Sequence, residues 1–179
     1  MKNTVKLSEV EIGKSFRVGG ESFIKMEDND GKITVVAKGV AFKSEYGNND
    51  FSKSKVLERL NKEFLPMIEK EVGAENICDF ETDLTTLDGL KGYGKINSKI
   101  SIPTFDFYRK HVDLFDMYKV NDWWWLATAD TALPHCDPSW RLCVSPRGGI
   151  LNDGDCNDDC LGVRPILCFV SSISVSCED

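Results

Sequence analysis

Short β-rich runs of mainly apolar residues lie near the N-terminus. The runs cover residues 16–18, 22–26 and 33–37, and they are separated by Gly19-Gly20 and by Asp28-Asn29-Asp30-Gly31. Short β-rich runs divided by glycine-containing turns are typical of antiparallel hairpins. The pattern therefore predicts an N-terminal β-meander.

Residues 51–73 have helical periodicity instead. Ser52 or Ser54 can cap the N-terminus of this helix, Pro66 kinks or restarts it, and Gly73 ends it. Apolar residues recur every three or four positions and predict one buried face. That face consists of Val56, Leu57, Leu60 and Phe64.

A glycine-rich loop precedes the second predicted helix. Gly89, Gly92 and Gly94 mark the loop, and residues 100–102 predict a short strand that ends at Pro103. Thr104 is then placed to cap a helix over residues 105–111.

The segment VNDWWWLATADTALPHCDPSWRLC, residues 120–143, opens with three consecutive tryptophans. A strand over residues 123–126 would place Trp123 and Trp125 on one face and Trp124 on the other. Burial of an indole removes roughly 200 Å² from water and stabilises the fold by a few kcal/mol. We expect one face to pack on the helix at residues 51–73 and the other to support irregular loops.

The remaining C-terminal elements are shorter. The sequence predicts strands over residues 140–144 and 162–169, with a turn at residues 146–149. Residues 127–139 and 151–161 are predicted to be irregular. Arg164, a lone cation among apolar residues, is expected to pair with Asp122, with Asp130 or with backbone carbonyls, and so to orient the base of the loops.

Composition divides the chain into two parts of one domain. All sixteen lysines lie in residues 1–119, whereas residues 120–177 contain no Lys, Glu or Met and hold all four tryptophans and six of the seven cysteines. Because no Pro/Gly/Ser-rich linker separates the parts, residues 1–179 are predicted to form one domain, a regular frame followed by a loop-rich part from residue 120.

Charge and hydropathy exclude several classes of protein. A net charge of −7 disfavours binding to nucleic-acid phosphates. No apolar run approaches the roughly 20 residues that span a bilayer, which argues against membrane insertion. The N-terminus lacks the apolar region of a secretory signal, so the sequence predicts synthesis in the cytoplasm. Free thiols are then expected in preference to a disulfide framework.

Two motifs in the C-terminal part carry a resemblance. WWWLAT at residues 123–128 and GVRPIL at residues 162–167, with WRLCVSPRGGIL between them, resemble the C-terminal region of a family of bacterial and phage proteins. VLERLNKEFLPMI, TTLDGLKGYG and SIPTFDFYRKH resemble other segments of that family. The resemblance implies an α+β domain of the C-type-lectin-like fold, which also includes the formylglycine-generating enzymes.

The same fold group includes the variable proteins of diversity-generating retroelements. Their diversified codons end in C and cannot encode Lys, Glu, Gln, Met or Trp. At the average frequency of this chain, about seven Lys, Glu, Met and Trp residues would fall in residues 127–161, yet Trp140 alone is found. The resemblance and this bias together predict a diversified surface over residues 127–161. The alternative is an ordinary loop region that is poor in lysine.

The acidic run NDGDCNDDC, residues 152–160, has oxygen ligands at alternate positions, as the first half of a calcium loop does. It lacks the later Glu that completes an EF-hand, so a solvated acidic loop is the expected interpretation. We therefore predict no metal and no cofactor.

The sequence gives equally little support for a metal site or a catalytic site built on cysteines. Cys136, Cys143, Cys156 and Cys160, with His135, lack the spacing of a zinc site. No third group orients a His135–Cys136 pair for catalysis.

The sequence accordingly predicts a binding protein and not an enzyme. The resemblance implies a protein or cell-surface ligand and display on a virion or a cell surface, and the acidic loops favour a basic or polar partner. A formylglycine-generating-type enzyme and a non-variable structural module of a phage particle remain as alternatives. The predicted ligand-binding residues are Asp130, Thr131, Leu133, His135, Asp137, Ser139, Trp140, Asn152, Asp153, Asp155, Asn157, Asp158 and Asp159.

Overall fold

A computed structural model describes residues 4–135, 140–155 and 161–177, and within them all side chains except that of Asp153. The protein is a mixed α+β structure made mostly of sheet. Its strands are β1 (Thr4–Lys6), β2 (Ser15–Val18), β3 (Glu21–Asn29), β4 (Lys32–Ala37), β5 (Phe42–Lys43), β6 (Phe80–Asp83), β7 (Lys95–Ser98), β8 (Ile100–Ser101), β9 (Trp124–Ala129), β10 (Trp140–Val144), β11 (Ile150–Asp155), β12 (Gly162–Val163), β13 (Ile166–Val170) and β14 (Ser174–Cys177). Its α-helices are α1 (Lys55–Arg59), α2 (Leu65–Val72), α3 (Phe105–Lys110) and α4 (Val112–Met117).

A seven-stranded sheet forms the frame, in the order β1-β14-β2-β3-β4-β13-β8. The predicted meander is confirmed, because β2, β3 and β4 pair antiparallel in sequence order. The turn between β3 and β4 is tighter than predicted and consists of Asp30 and Gly31, whose φ angles are 50° and 82°. Such left-handed angles at both positions suit a two-residue hairpin between twisted strands.

The helical segment at residues 51–73 is confirmed, with Ser54 as its cap. The Ser54 hydroxyl accepts a hydrogen bond from the Leu57 amide at 3.1 Å. A π-helical turn, Leu60–Phe64, joins α1 to α2 immediately before Pro66. Proline has no N–H for the carbonyl one turn earlier, which accounts for a break in the α-helical pattern at this position. Gly73, with a φ of 86°, ends α2.

The second predicted helix is also confirmed, although it continues further than expected. The Thr104 hydroxyl caps α3 by accepting from the Phe107 amide at 3.1 Å. His111 leaves helical geometry, with φ −117° and ψ 25°, and α4 follows directly. Glu27 of β3 contacts both Lys110 and His111, which attaches this helical corner to the frame.

A second sheet has the order β11-β10-β9-β12-β5, and β6 pairs with β7 in a separate hairpin. The predicted strand at the tryptophans is β9, which begins at Trp124 and extends to Ala129, beyond the predicted end. The alternation is confirmed. Trp125 and the half-buried Trp123 pack in the cluster that contains Leu60 and Phe64, whereas Trp124 packs in a different cluster.

The expected support of the loops by Trp124 is wrong. The Trp124 ring lies against Tyr108 and Phe115, at centroid distances of 5.7 and 5.5 Å, and so faces α3 and α4. The indole that supports the C-terminal part is Trp125, whose ring packs against Gly154 in β11. Both faces of β9 are therefore covered by core.

The predicted strand over residues 162–169 is wrong as a single strand. It is divided at Arg164-Pro165 into β12, which joins the five-stranded sheet, and β13, which joins the seven-stranded sheet. Proline lacks the N–H that a continuous central strand would need. A further strand, β14, follows and pairs with β1 and β2. Regular structure also extends into the predicted irregular stretches, which contain the end of β9 and five of the six residues of β11.

Arg164 at this junction is buried. Of its predicted partners, it binds backbone carbonyls and not a carboxylate. Its Nε and Nη2 donate to the carbonyls of Ala37 and Lys38 at 3.1 and 3.0 Å. The guanidinium also lies 5.0 Å from the centroid of the Trp124 ring. Burial lowers the pKa of Arg164 to about 10, so the group remains charged at neutral pH. The suggested carboxylates lie elsewhere, because Asp122 pairs with Lys43 and Asp130 accepts from Asn152.

Replacement of Arg164 by Met should reduce the free energy of unfolding by about 2–4 kcal/mol, because two carbonyls at the junction lose their donor. Urea denaturation followed by tryptophan fluorescence measures this change. Arg147→Met is the matched control, since Arg147 is exposed and its replacement should cost less than about 0.5 kcal/mol. Equal losses in the two variants would contradict the assigned role of Arg164.

Candidate functional site

The two stretches that the sequence singled out meet at one end of the five-stranded sheet. Arg141 of β10 lies opposite Ala129 of β9 on one side and opposite Gly154 of β11 on the other. Trp140 lies opposite Asp155. The same register continues to Asp130, which directly follows β9. Asp130, Trp140 and Asp155 therefore lie side by side where the three strands end.

A hydrogen bond between side chains joins the two stretches directly. Asn152 Nδ2 donates to Asp130 Oδ2 at 2.7 Å, across the end of the intervening strand β10. The predicted candidates of the first and second stretch are thus parts of one surface. They do not lie on opposite sides of the molecule.

The loop between β6 and β7 adds a third segment to this surface. The Leu87 amide donates to the Ala129 carbonyl at 2.9 Å. Asp88 Oδ2 accepts from the Thr131 hydroxyl at 2.7 Å and contacts His135 Nδ1 at 3.1 Å. Asp88 Oδ1 also accepts from the hydroxyl of Thr86. One carboxylate therefore attaches residues 131–135 to the loop.

The partners of Asp88 change its ionisation. Hydrogen bonds from the Thr86 and Thr131 hydroxyls, with a further bond to His135, lower the pKa of Asp88 far below its ordinary value of 3.8. Hydrogen bonds to the charged form favour that form. Asp88 is accordingly an anion throughout the neutral range.

Exposed apolar side chains gather on the same surface. Eight large hydrophobic side chains are exposed among the described residues, and four of them belong to these three segments. Leu133 is 72% exposed and Trp140 is 44% exposed, and Leu87 and Leu151 have similar values to Trp140. Single exposed hydrophobics are common, but a group at one end of a sheet indicates a contact surface. Leu151 does not belong to this group, because it lies opposite Cys143, toward the other end of β11. We name the remaining exposed hydrophobics with their polar neighbours the Trp140 surface: Leu87, Asp130, Leu133, His135, Trp140, Asn152 and Asp155.

A buried cation lies immediately below the Trp140 surface. Arg141 is fully buried, and its Nη2 donates to the carbonyls of Ala127 and Leu126, at 2.5 and 3.3 Å, and to the Tyr46 hydroxyl. Its Nη1 donates to the backbone carbonyl of Asn49 and to Asn49 Oδ1, the latter at 3.2 Å. The guanidinium carbon is 3.9 Å from the centroid of the Tyr46 ring.

Asn49 extends this network to two loops. Its Nδ2 donates to the Thr131 carbonyl and to the Tyr93 hydroxyl, both at 3.0 Å. Trp125 completes the layer, because its Nε1 donates to the Ser44 carbonyl at 2.8 Å and its ring meets that of Tyr46 edge-on. We name Arg141, Tyr46, Asn49 and Trp125 the Arg141 network. Each of its members is buried and hydrogen-bonded, so it forms a fixed floor for the surface.

Gly154 is the point at which β11 rests on this floor. A Cβ atom at Gly154 would lie 2.3 Å from Trp125 Cζ3 and 2.9 Å from Cη2. Both distances are far below a carbon–carbon contact, so only glycine lets the strand approach the indole. The glycine in the acidic run NDGD is therefore required for packing.

The predicted ligand-binding residues divide into four groups in the structure. Asp130, Leu133, His135, Trp140, Asn152 and Asp155 contribute to the Trp140 surface. The expectation that Thr131 is exposed is wrong, because its side chain is buried and holds Asp88. Asp153 lies within β11, but its side chain is outside the described part of the chain. Five further candidates lie outside the described residues altogether: Asp137, Ser139, Asn157, Asp158 and Asp159.

Sequence reasoning missed the residues that build the floor. Arg141 lies in WRLCV, a cation within an apolar strand, and this is the same signal that identified Arg164. Applied here, that signal would have indicated a buried, hydrogen-bonded guanidinium. Its partners Tyr46 and Asn49, and the distant Asp88, carry no comparable signal in the sequence.

Residues 4–135, 140–155 and 161–177 contain no group of three or more His, Cys, Asp or Glu side chains placed to hold a metal ion. The described cysteines 78, 143, 168 and 177 are free thiols, and Cys136, Cys156 and Cys160 lie outside the described residues. None of the helices in those ranges has the length and hydropathy needed to cross a membrane.

Gly154→Ala should destabilise the protein by about 1–3 kcal/mol, because the new methyl group overlaps the Trp125 ring. Chemical denaturation measures the loss, and near-UV circular dichroism reports the displaced indole. Gly92→Ala is the matched control, because a Cβ at Gly92 meets nothing within 4 Å. A Gly154→Ala protein as stable as the Gly92→Ala protein would show that β11 does not rest on Trp125.

Acid should loosen the 84–94 loop. Because the pKa of Asp88 is lowered on folding, its contribution is fully present above its ordinary value of 3.8 and declines as the pH falls below it. The protection factor of the Leu87 amide, which compares its exchange with the intrinsic rate at the same pH, should therefore fall below pH 3.8 more than that of amides at the centre of β3. Asp88→Ala should show the faster exchange at pH 7 and lose this pH dependence. Identical exchange in the variant and the wild type would exclude the carboxylate as the attachment point.

No family model matches the chain, and comparison with curated proteins and with solved structures gives no significant match.

Proposed function

We propose that this protein is a binding protein of the C-type-lectin-like type, which recognises a protein or a cell-surface ligand through the Trp140 surface. The observation that carries this proposal is the arrangement of exposed Trp140 and Leu133 beside Asp130 and Asp155, directly above the Arg141 network. An exposed aromatic residue with hydrogen-bonding neighbours on a rigid base is the usual composition of a recognition hot spot.

The contact between the two resemblance motifs supports the proposed fold type. WWWLAT and GVRP are adjacent in space, because β12 runs parallel to β9 and the Gly162 amide donates to the Trp123 carbonyl at 2.7 Å. WRLCV, the third matching segment, is β10 and pairs with the other side of β9. The three motif segments thus form the centre of one sheet, as a motif set that specifies a fold requires.

The charge of the surface favours a basic or polar partner. Asp130, Asp155 and the neighbouring Asp88 contribute carboxylates, and His135 is bonded to one of them. Carboxylates at the rim of an interface attract positively charged groups and set the orientation of a partner. A protein segment that carries Lys or Arg beside an apolar side chain would complement both parts of the surface.

We further propose that a diversity-generating retroelement alters this surface and that the protein acts on a virion or a cell surface. Leu133, His135, Asn152 and Asp155 are exposed, and codons that end in C encode all four residue types. Trp140 cannot arise from such a codon and would remain constant. The bias in residues 127–161 and the exposure of these four side chains support this assignment.

The coding DNA provides the test. We expect a reverse-transcriptase gene near the gene for this chain, together with a second, adenine-rich copy of the segment that encodes residues 127–161. Sequences from related isolates should differ at codons for exposed residues such as His135 and Asn152, while the codons for Arg141 and Gly154 remain unchanged. Codons for exposed residues in 1–119 are the control and should show no excess of changes at adenines. A neighbourhood with neither the gene nor the adenine-rich copy would overturn diversification and favour a constant interface.

A further inference from the structure

Cys78 and Cys168 lie opposite each other at the edge of the seven-stranded sheet. Ile77 forms an antiparallel bridge with Phe169, and the Cys78 amide donates to the Cys168 carbonyl at 2.7 Å. The antiparallel bridge places the next two residues, Cys78 and Cys168, opposite each other, and directly opposite residues joined by a backbone hydrogen bond have Cα atoms about 5.5 Å apart and side chains on one face. This separation falls within the range of about 4.4–6.8 Å that disulfide bonds span.

The two thiols are neighbours but differ in access to solvent. Neither forms a disulfide, and burial, with a further contribution from the proximity of Cys78, raises the pKa of Cys168. Cys78 is half-buried, whereas Cys168 is 5% exposed. Of the other described thiols, Cys143 is buried in β10 beside the Leu151 carbonyl, and Cys177 is exposed on β14.

From this juxtaposition we propose that Cys78 and Cys168 form an oxidative modification site, a dithiol that hydrogen peroxide converts to a disulfide. The site is separate from the Trp140 surface, and it does not depend on the proposed binding function.

The difference in access assigns the order of the chemical steps. The Cys78 thiolate attacks one peroxide oxygen, the O–O bond breaks, and a sulfenic acid forms while the departing hydroxide takes up a proton to become water. The Cys168 sulfur then attacks the sulfenic sulfur, loses its own proton to the departing hydroxide and releases a second water. Two thiols are oxidised by two electrons in total, and one peroxide is reduced to two waters.

Burial suits Cys168 to the second step. The apolar surroundings raise the pKa of Cys168 to about 11, with a further contribution from neighbouring Cys78, so this residue stays a thiol at neutral pH. A buried thiol reacts poorly with a dissolved oxidant, but it is held against the sulfur that has already reacted. The pair thus has an accessible attacking cysteine and a shielded resolving cysteine.

The disulfide would close a loop of 91 residues, from Cys78 to Cys168, that contains β9, β10 and β11. It would also fasten the segment after α2 to β13, a strand that is already paired with β4 and β8. A link across so long a loop restricts the unfolded chain strongly. Oxidation should therefore stabilise the folded protein as a whole.

The test is treatment of the folded full chain with hydrogen peroxide, followed by blocking of remaining thiols and peptide mapping by mass spectrometry. We expect a Cys78–Cys168 linked peptide that has lost two hydrogens, and a Tm that rises by about 5–15 °C and returns on reduction. Mapping distinguishes this link from any that involves the other five cysteines.

Two variants make the assignment falsifiable. In Cys168→Ser, Cys78 should stop at the sulfenic acid and be labelled by dimedone, which the wild type should resist after oxidation. Cys177→Ser is the matched control and should form the link as the wild type does. Over-oxidation of Cys78 in the wild type while Cys168 stays reduced would overturn the proposal, as would a dominant link to another cysteine. Circular dichroism of each variant before treatment establishes that it is folded.

Discussion

The C-terminal half of this protein depends on one buried cation, the guanidinium of Arg141. It bonds to backbone carbonyls of β9, to the hydroxyl of Tyr46 and to Asn49, and so it joins the β9–β10 pair to a segment more than ninety residues before Arg141 in the sequence. A fully buried charge is costly to remove from water and is tolerated only where oxygen acceptors surround it. The segment that contains Tyr46 and Asn49 can therefore adopt few positions other than the one observed. Through Asn49 the same constraint reaches Thr131 and the 84–94 loop.

The three consecutive tryptophans follow from the position of β9 between two cores. Trp125 packs on the side of α1 and α2 and contacts Tyr46, while Trp124 packs under α3 and α4. Each face also holds a buried arginine, Arg141 on the first and Arg164 over the Trp124 ring on the second. The sequence of a strand covered on both faces is a continuous run of apolar residues, in which polar residues do not occupy every second position. WWWLATA is such a run, and all six residues of β9 are buried.

Local signals in the sequence predicted most of the frame, whereas long-range polar contacts remained hidden. The Asp30-Gly31 turn, the Ser54 and Thr104 caps and the Gly73 helix end each depend on a residue type with one conformational role, so they could be read directly. The break at Pro165 has a local signal that was missed, because proline interrupts a central strand. The carbonyls of residues 37 and 38 that receive Arg164 at this break could not be predicted, because they are distant in sequence. Asp130 and Asn152, which were predicted to share one surface, are joined by a hydrogen bond, but Asp88, more than forty residues before Asp130, was not predicted. Its role depends on tertiary placement of a loop whose sequence indicates only flexibility.

The structure also restricts where variation in residues 127–161 could be accommodated. Ala127–Ala129, Thr131 and Ala132 are buried, and so are the four residues after Trp140. A random side chain at any of these positions would displace the Arg141 network or open the core, at a cost of several kcal/mol. The side chains of Leu133, His135, Asn152 and Asp155 are exposed to solvent, so their substitution should reduce the free energy of unfolding far less. A diversifying process that acted evenly along the segment would produce mostly unfolded chains. Positions that tolerate substitution must therefore alternate with positions that do not. Trp140 is exposed, and its codon contains no adenine that the process could alter. If the surface varies, Trp140 is the contact that each variant would share.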